Sequence, residues 1–583
     1  MKITQEQIIA SMPSHLRPYT TLQHYDSYTA QDHAVWRFLL RELATRLEQT
    51  AHPIYLEGLE KTGISLDAIP NMDDMNEKLA DIGWSAVVVD GVIPSAVFME
   101  LQALKILPIA LDMRSIDHML YTPAPDIVHE AAGHAPFIID LDYADYLQRI
   151  GEIGVKALSS KQDYAIYEAV RKLSIIKEDA SRGAAELAEA QRTLERTLAA
   201  SNSTSEAYQL SRLHWWTVEY GLVGNVNDYK IFGAGLLSSL GESGHCLDDQ
   251  RVKKIPLTVA AINCPYDITC EQPQLFVTKS CKHLSQVLES FANGMAFKQG
   301  GAIGLQKALD CATVATVEYS SGIQLSGVVS KILTDAVGNE IYVATSGPSQ
   351  LAYKSAQLLG HGIVEHPKGI ASPVGQLKDM PRCLSVYTID ELRELGIYCN
   401  AEIRLEFLSG VTVVGCLKNI LRRDHKNLLF RFSNCTVTGP TGEALFRADE
   451  GDYDMAIGER VVSVYGGAAD KEHYPLRLLP PSASHQTRNH SERELALFSM
   501  YQTVRDMREA GTYIDLAVLC SLHDCLAKYP KEWLLRFEIL ELLPADHDHY
   551  HRIVAELMAL RSHSEDYACL IDMALASVAT VKS

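Results

Sequence analysis

The chain is short of positive charge, of long apolar runs and of paired cysteines. Its 583 residues include 53 Lys and Arg against 73 Asp and Glu, a formal charge of −20. That balance disfavours a nucleic-acid or anionic-membrane partner, since either needs a basic face. No apolar run reaches membrane-spanning length, and Met1–Gln7 carries no apolar signal core, so a cytoplasmic protein is expected. The twelve cysteines are scattered without a Cys-x-x-Cys pair, as reduced thiols would be. What is present is ordinary for a soluble globular protein: 47% hydrophobic and 22% charged residues. The length calls for about two to four domains.

The most informative stretch is Pro125-Asp126-Ile127-Val128-His129-Glu130-Ala131-Ala132-Gly133-His134. Zinc-protease helices place two histidines four apart, and about 400° of rotation returns both to one face. A spacing of five gives about 500°, leaving the rings roughly 140° apart on a continuous α-helix. Both reach one metal only if the helix ends between them, and Gly133 followed by Pro136 is a plausible terminator. Two imidazoles and one distant carboxylate form the ligand set of a mononuclear non-heme iron(II) oxygenase. On this stretch alone, two helical histidines without a metal remain the simpler reading.

Downstream stand Leu213-His214-Trp215-Trp216-Thr217-Val218-Glu219-Tyr220-Gly221-Leu222 and Phe232-Gly233-Ala234-Gly235-Leu236-Leu237-Ser238-Ser239. With the first segment, these resemble the pterin-dependent aromatic amino acid hydroxylases, from about residue 25 to about residue 296. The resemblance implies iron(II) held by His129, His134 and Glu219. It implies a substrate side built from Arg114, Tyr121, Thr122, Pro125, Trp215, Gly235, Ser238 and Ile268. Arg114 would grip the amino acid's carboxylate, a task suited to a guanidinium fork. Ser238 would also bond an iron-ligating histidine. The cofactor, tetrahydrobiopterin or a related tetrahydropterin, would meet backbone groups of Gly91, Val92, Ile93 and Ser95 and stack on Phe98. Glu130 would be the acidic group serving pterin and iron-bound water. Animal members place a His where this chain has Pro108, so one pterin contact differs. Tyrosine hydroxylases put an acid at the position of Ile268, so phenylalanine is the expected substrate, with dioxygen as co-substrate. Tryptophan hydroxylation is the alternative within enzymes; a metal-bound ligand-sensing or scaffold protein is the alternative outside them.

The resemblance implies a multidomain fold that opens with a mainly α-helical catalytic domain, residues 1–298. No amino-terminal regulatory domain is expected, because catalytic-type sequence begins within the first few tens of residues. His134 and Glu219 lie 85 residues apart, about twice the family's usual gap, which marks a helical insertion over about 151–207. Its charge and helix formers suggest exposed, solvated helices, with an oligomer contact or active-site cover second. A small β-rich domain is expected over 299–480, starting with short strands after Gln299-Gly300-Gly301. Glu318–Gly327 recurs as Glu406–Gly415, offset by 88 residues, suggesting an internal repeat whose third strands close at Gly347-Pro348 and Gly439-Pro440. After a linker at Pro480–Ser484, Ser491-Glu492-Arg493-Glu494 reads as a capping box opening an α-helical domain over 488–583. Its His547, His549 and His551 read as solvated. The carboxy-terminal half is where a homo-oligomer would form.

Overall fold

The computed structural model describes residues 4–120, 125–178, 183–200, 204–268, 270–475, 490–511 and 514–582. The expected linker at 480–484 and the Tyr121-Thr122 loop therefore lie outside the described residues.

Up to Cys311 the described residues are mainly helical, with six short strands among them. Two of these, Ser85–Val89 and Ile106–Ala110, run parallel and are joined by the helix Ser95–Ala103. Both are almost wholly buried and rich in Val, Ile and Leu, as parallel strands covered on both faces must be. Loops leaving the carboxyl ends of such strands form the natural crevice of the unit. Gly91 and Arg114 emerge there, on the loops that follow Val89 and Ala110.

The insertion forms two helices, Lys161–Glu178 and Ala184–Ala200, closed on each other through Ala169, Leu173, Ile176, Ala190 and Leu194. The break after Gln299 does not lead directly into strands. The helix Gly301–Cys311 comes first, burying Leu305 and Ala308, and the strands start at Val314. A periodic stretch of eleven residues is long enough for a helix once its apolar side has a sheet to cover.

Two antiparallel sheets follow. The first orders Ala356–Gln357, Glu340–Tyr353, Ile323–Thr334, Val314–Tyr319 and Val461–Gly466, with Ala371–Pro373 added on Glu340–Tyr353. The second orders Glu402–Glu406, Thr412–Arg423, Lys426–Thr438 and Ala444–Phe446, with Tyr453–Ala456 added on Lys426–Thr438. Register breaks fall at Ser326/Val328, Val329/Lys331 and Leu333/Thr334 in one sheet. They fall at Val414/Cys416, Leu417/Asn419 and Leu421/Arg422 in the other, each 88 residues on. The third strands differ, however. Lys426–Thr438 does stop before Gly439-Pro440, but Glu340–Tyr353 runs through Gly347-Pro348. Gly347 takes a φ of +70° there, which lets an irregular strand continue past a proline.

The capping box at Ser491 and Glu494 forms, opening the helix Glu492–Ala510. Four more helices follow: Leu516–Cys525, Leu534–Leu542, Asp548–Leu560 and Glu565–Lys582. They share one hydrophobic core with the amino-terminal half. The long helix Ala30–Thr50 is the seam: Phe38 meets Trp533 and Phe537 edge-on, at 5.2 and 5.4 Å between ring centres. Beside them the buried Arg37 bonds Glu538 at 3.0 Å and Glu541 at 2.6 Å.

Candidate active site

Two of the three motifs are wound as π-helices, Val128–His134 and Trp215–Glu219. In such a turn the hydrogen bond spans i to i+5, as from the Tyr220 N–H to the Trp215 carbonyl at 2.9 Å. Residues five apart therefore return to one face, which is how His129 and His134 come together. The helix does not end between them, contrary to the sequence expectation. Gly133 serves packing instead: a β-carbon there would stand 2.8 Å from the Ala234 carbonyl oxygen.

Three side chains converge. The Nε2 atoms of His129 and His134 are 3.3 Å apart. Glu219 places Oε2 3.2 Å from the first and Oε1 3.5 Å from the second. Ligands held at about 2.1 Å from one ion, on adjacent octahedral corners, are about 3 Å apart, so the donors have the spacing of a facial triad. Ring orientation supports this. Ser238 donates its one hydroxyl hydrogen to the Ala234 carbonyl at 2.8 Å. Toward His129 Nδ1, 3.1 Å away, it can therefore only accept. Nδ1 then keeps its proton, so Nε2, which faces Glu219, is the nitrogen a metal would take in place of a proton, the usual arrangement behind a metal-bound imidazole. The residues present thus fit a divalent iron ion.

Electrostatics agree with a cation-binding pocket. Burial works against charge on His129, yet the hydrogen bond and charge of Glu219 raise its pKa to about 9. Burial lowers His134 to about 4, so it stays neutral. Glu219 is held well below the usual carboxylate range, because both histidines outweigh its burial. Glu130 moves the other way: burial, together with the charges of Glu219 and Asp126, lifts it to about 8. It is a carboxylic acid able to donate a hydrogen bond, until a bound cation draws its proton off.

These groups open onto a cavity of about 540 Å³. Every described residue assigned from the sequence lines it except His134. Arg114 is 5% exposed at one end and held by Asp126, through Nε and Nη2 at 2.7 Å each. Its Nη1 bonds the Ser238 carbonyl at 3.1 Å. Three of its five N–H groups are thereby used, leaving one on each Nη. Trp215 stacks between Tyr220 and Tyr266 at 4.7 and 4.3 Å. Gly235 packs against the Tyr220 ring, and Ile268 stands at the rim, 40% exposed. On the other wall Gly91 turns with φ +70°, a left-handed conformation suited to glycine. Val92, Ile93 and Ser95 follow it, and Phe98 presents its ring from the helix they open. Pro108 also lines this wall.

Two contributions escaped the sequence reading, and a third departs from its first expectation in favour of its second, active-site cover. Asp126 was detectable in principle, since an arginine destined for the interior needs an acid. His214 lines the cavity, its Nδ1 3.7 Å from Glu219 and its ring edge-on to Phe98. The third is the insertion. The helix Lys161–Glu178 is not a solvated excursion: Tyr164, Tyr167, Val170 and Ser174 line the cavity, and the Tyr167 hydroxyl donates to the Val92 carbonyl at 3.1 Å. Those four positions follow helical spacing, a stripe masked by the charges between them.

Comparison with known proteins identifies a family. The sequence model of the biopterin-dependent aromatic amino acid hydroxylase family matches residues 4–176 and 184–300. Phenylalanine-4-hydroxylase of Chromobacterium violaceum is 32% identical over 268 residues, 46% of this chain and 75% of that protein. The phenylalanine-4-hydroxylase of Ralstonia nicotianae is 32% identical over 272 residues, 46% of this chain and 73% of its own. A crystal structure of the Chromobacterium violaceum enzyme with iron(III) and 7,8-dihydrobiopterin aligns at 29% identity over 48% of this chain and 87% of that one, with a TM-score of 0.38. By its family-model match and the two phenylalanine-4-hydroxylase sequences, the chain belongs to the biopterin-dependent aromatic amino acid hydroxylases.

Proposed function

We propose that the protein hydroxylates the ring of L-phenylalanine to give L-tyrosine, using iron(II), a tetrahydropterin and dioxygen. One observation carries this reading: two imidazoles and a carboxylate converge at 3.2–3.5 Å on the wall of a cavity that also presents a buried arginine. His129, His134 and Glu219 would hold the iron. Together, iron(II) and reduced pterin supply the activation of dioxygen that no side chain can perform.

The chain's own part is positioning. The two remaining Nη–H groups of Arg114 take the substrate carboxylate, and Asp126 keeps the guanidinium in one orientation. With that end fixed, the ring extends past Trp215 and Gly235 toward the triad, near Pro125 and Ile268. The pterin lies on Phe98, a contact worth about 1 kcal/mol, against backbone groups of Gly91–Ser95. Glu130, beside the triad on the cavity wall, is the acidic group that serves the pterin. The helix Lys161–Glu178 roofs the pterin loop and keeps bulk water from the reacting atoms. Tyr121 and Thr122 complete the substrate side in this reading.

We divide the chain into a catalytic unit over 1–298 with an insertion over about 151–207, an internally repeated β unit over 299–480 and a helical unit over 488–583. Twelve free thiols suit the cytoplasm, where disulfides are rare. A homo-oligomer formed through the carboxy-terminal half is expected, and sedimentation checks it.

The test is product analysis with phenylalanine, tryptophan and tyrosine supplied side by side, with tetrahydropterin and iron(II). Tyrosine from phenylalanine should dominate. A higher rate on tryptophan would move the assignment to indole hydroxylation. Oxygen uptake that is indifferent to pterin, with no hydroxylated product, would refute the catalytic reading.

A further inference from the structure

A second group of metal-type donors sits in the β-rich half. His361 and His366 lie between the strands Ala356–Gln357 and Ala371–Pro373, on a segment tied along Glu340–Tyr353. The Leu351 N–H donates to the His361 carbonyl and the Ser349 N–H to the His366 carbonyl, each at 2.9 Å. Gly360 takes a φ of +77° just before the first histidine, and the Gly362 N–H is capped by Glu365 Oε2 at 2.9 Å. The backbone carrying both rings is therefore fixed independently of what the rings bind.

His361 Nδ1 and His366 Nε2 are 3.2 Å apart. Asp454 Oδ2, from the strand Tyr453–Ala456, is 3.5 Å from the first and 3.6 Å from the second. The three atoms make a nearly equilateral triangle. A tetrahedral ion with N and O donors at about 2.0–2.1 Å has its ligands about 3.3–3.4 Å apart. His361 and Asp454 are 5% and 7% exposed, so this cluster is not a solvated rim. Without a cation, two imidazole nitrogens and a carboxylate oxygen face one another and must share protons. A single divalent ion satisfies all three lone pairs together.

Asp454 is also oriented from behind. Arg431, its cross-strand partner, donates from Nε to Oδ1 at 2.9 Å and from Nη2 to Oδ2 at 2.8 Å. Ligating carboxylates are commonly held in this way. The guanidinium repels a cation, but its side chain is 36% exposed and water screens it.

We propose that His361, His366 and Asp454 bind a divalent transition-metal ion of the zinc class. The ion clips the two β-sheets together, because the histidines belong to the first sheet's connections and Asp454 to the second sheet. Three protein donors leave one position for water. None of the three lines the catalytic cavity, so the site is separate from the iron triad and does not rest on the assigned reaction.

The experiment strips the full chain with chelator, dialyses it against zinc(II) and counts zinc per chain. The unmutated protein is compared with His129→Ala, His366→Gln and His549→Ala. The last controls for another cluster, formed by His523, Asp524 and His549. His366→Gln should lose one equivalent that His129→Ala and His549→Ala retain, while still binding iron at the catalytic triad. Equal zinc in His366→Gln and the unmutated chain would overturn the proposal. So would finding that the missing equivalent follows His549→Ala. Should His366→Gln fail to fold, hydrogen exchange on the unmutated chain decides. Zinc should slow amide exchange in 358–370 and 453–456, and unchanged exchange in both segments overturns the site.

Discussion

The two halves of the molecule each hold a pair of histidines five residues apart and a carboxylate far downstream, Glu219 at 85 residues and Asp454 at 88. Backbone geometry makes the pairs converge by different means. His129 and His134 meet because a π-turn brings every fifth residue to one face. His361 and His366 meet because a loop is pinned to a neighbouring strand at both carbonyls. The nitrogen separations are nearly equal, 3.3 and 3.2 Å. What differs is the setting: the first triad opens on a cavity of about 540 Å³, while the second is braced by Arg431 between two sheets. Convergent donors thus mark a metal-type site, and the space beside them decides whether chemistry can follow.

The sharpest way to break this comparison is to remove each carboxylate in turn. Glu219→Ala should abolish bound iron and hydroxylation, whereas Asp454→Ala should leave turnover per folded molecule unchanged. Iron analysis with product assays checks this, and loss of catalysis in a folded Asp454→Ala protein would erase the distinction.

Next in size is Asp126→Asn, which leaves Arg114 buried beside a neutral partner. Removing one member of a buried pair costs about 3–5 kcal/mol. The melting temperature should fall, and the KM for the amino acid should rise roughly tenfold as the fork loses its orientation. Calorimetry and steady-state kinetics read the two effects separately. An unchanged KM would show that Arg114 does not hold the substrate.

Ser238→Ala should weaken iron binding or activity by about 10–100-fold, the usual effect of losing a ligand's outer partner. Iron titration monitored by activity reads it; affinity equal to the unmutated chain would mean that packing alone orients His129.

The smallest effect belongs to the insertion. Tyr167→Phe removes one hydrogen bond to the pterin loop, worth about 0.5–1.5 kcal/mol. The KM for tetrahydropterin should rise a few-fold while that for phenylalanine stays put. Equal changes in both would assign the helix to the cavity as a whole rather than to the loop.

Much of the candidate site was legible because its residues are fixed by chemistry that few residue types can perform. The π-winding was not. Side-chain patterns report periods of 2 and 3.6, and a single turn closed by i+5 bonds leaves no repeat to detect. Strands of the β half were readable from their alternation, and the 88-residue offset reappears in the register breaks. The continuation through Gly347-Pro348 was not, because those two residues ordinarily end a strand. The docking of the carboxy-terminal helices shows in burial and was not read from the residue pattern. His33–Leu40 is buried residue after residue, as a helix covered on every side must be.

That docking also sets a schedule for synthesis. Arg37 and its partner Glu538 are separated by 501 residues. At about 5–20 residues per second, the ribosome needs roughly 25–100 s to deliver the second after the first. Through that interval the face of Ala30–Thr50 that carries Phe38 has no Trp533 or Phe537 to cover it. Until those residues arrive, that face is exposed apolar surface, the kind that makes incomplete chains prone to associate.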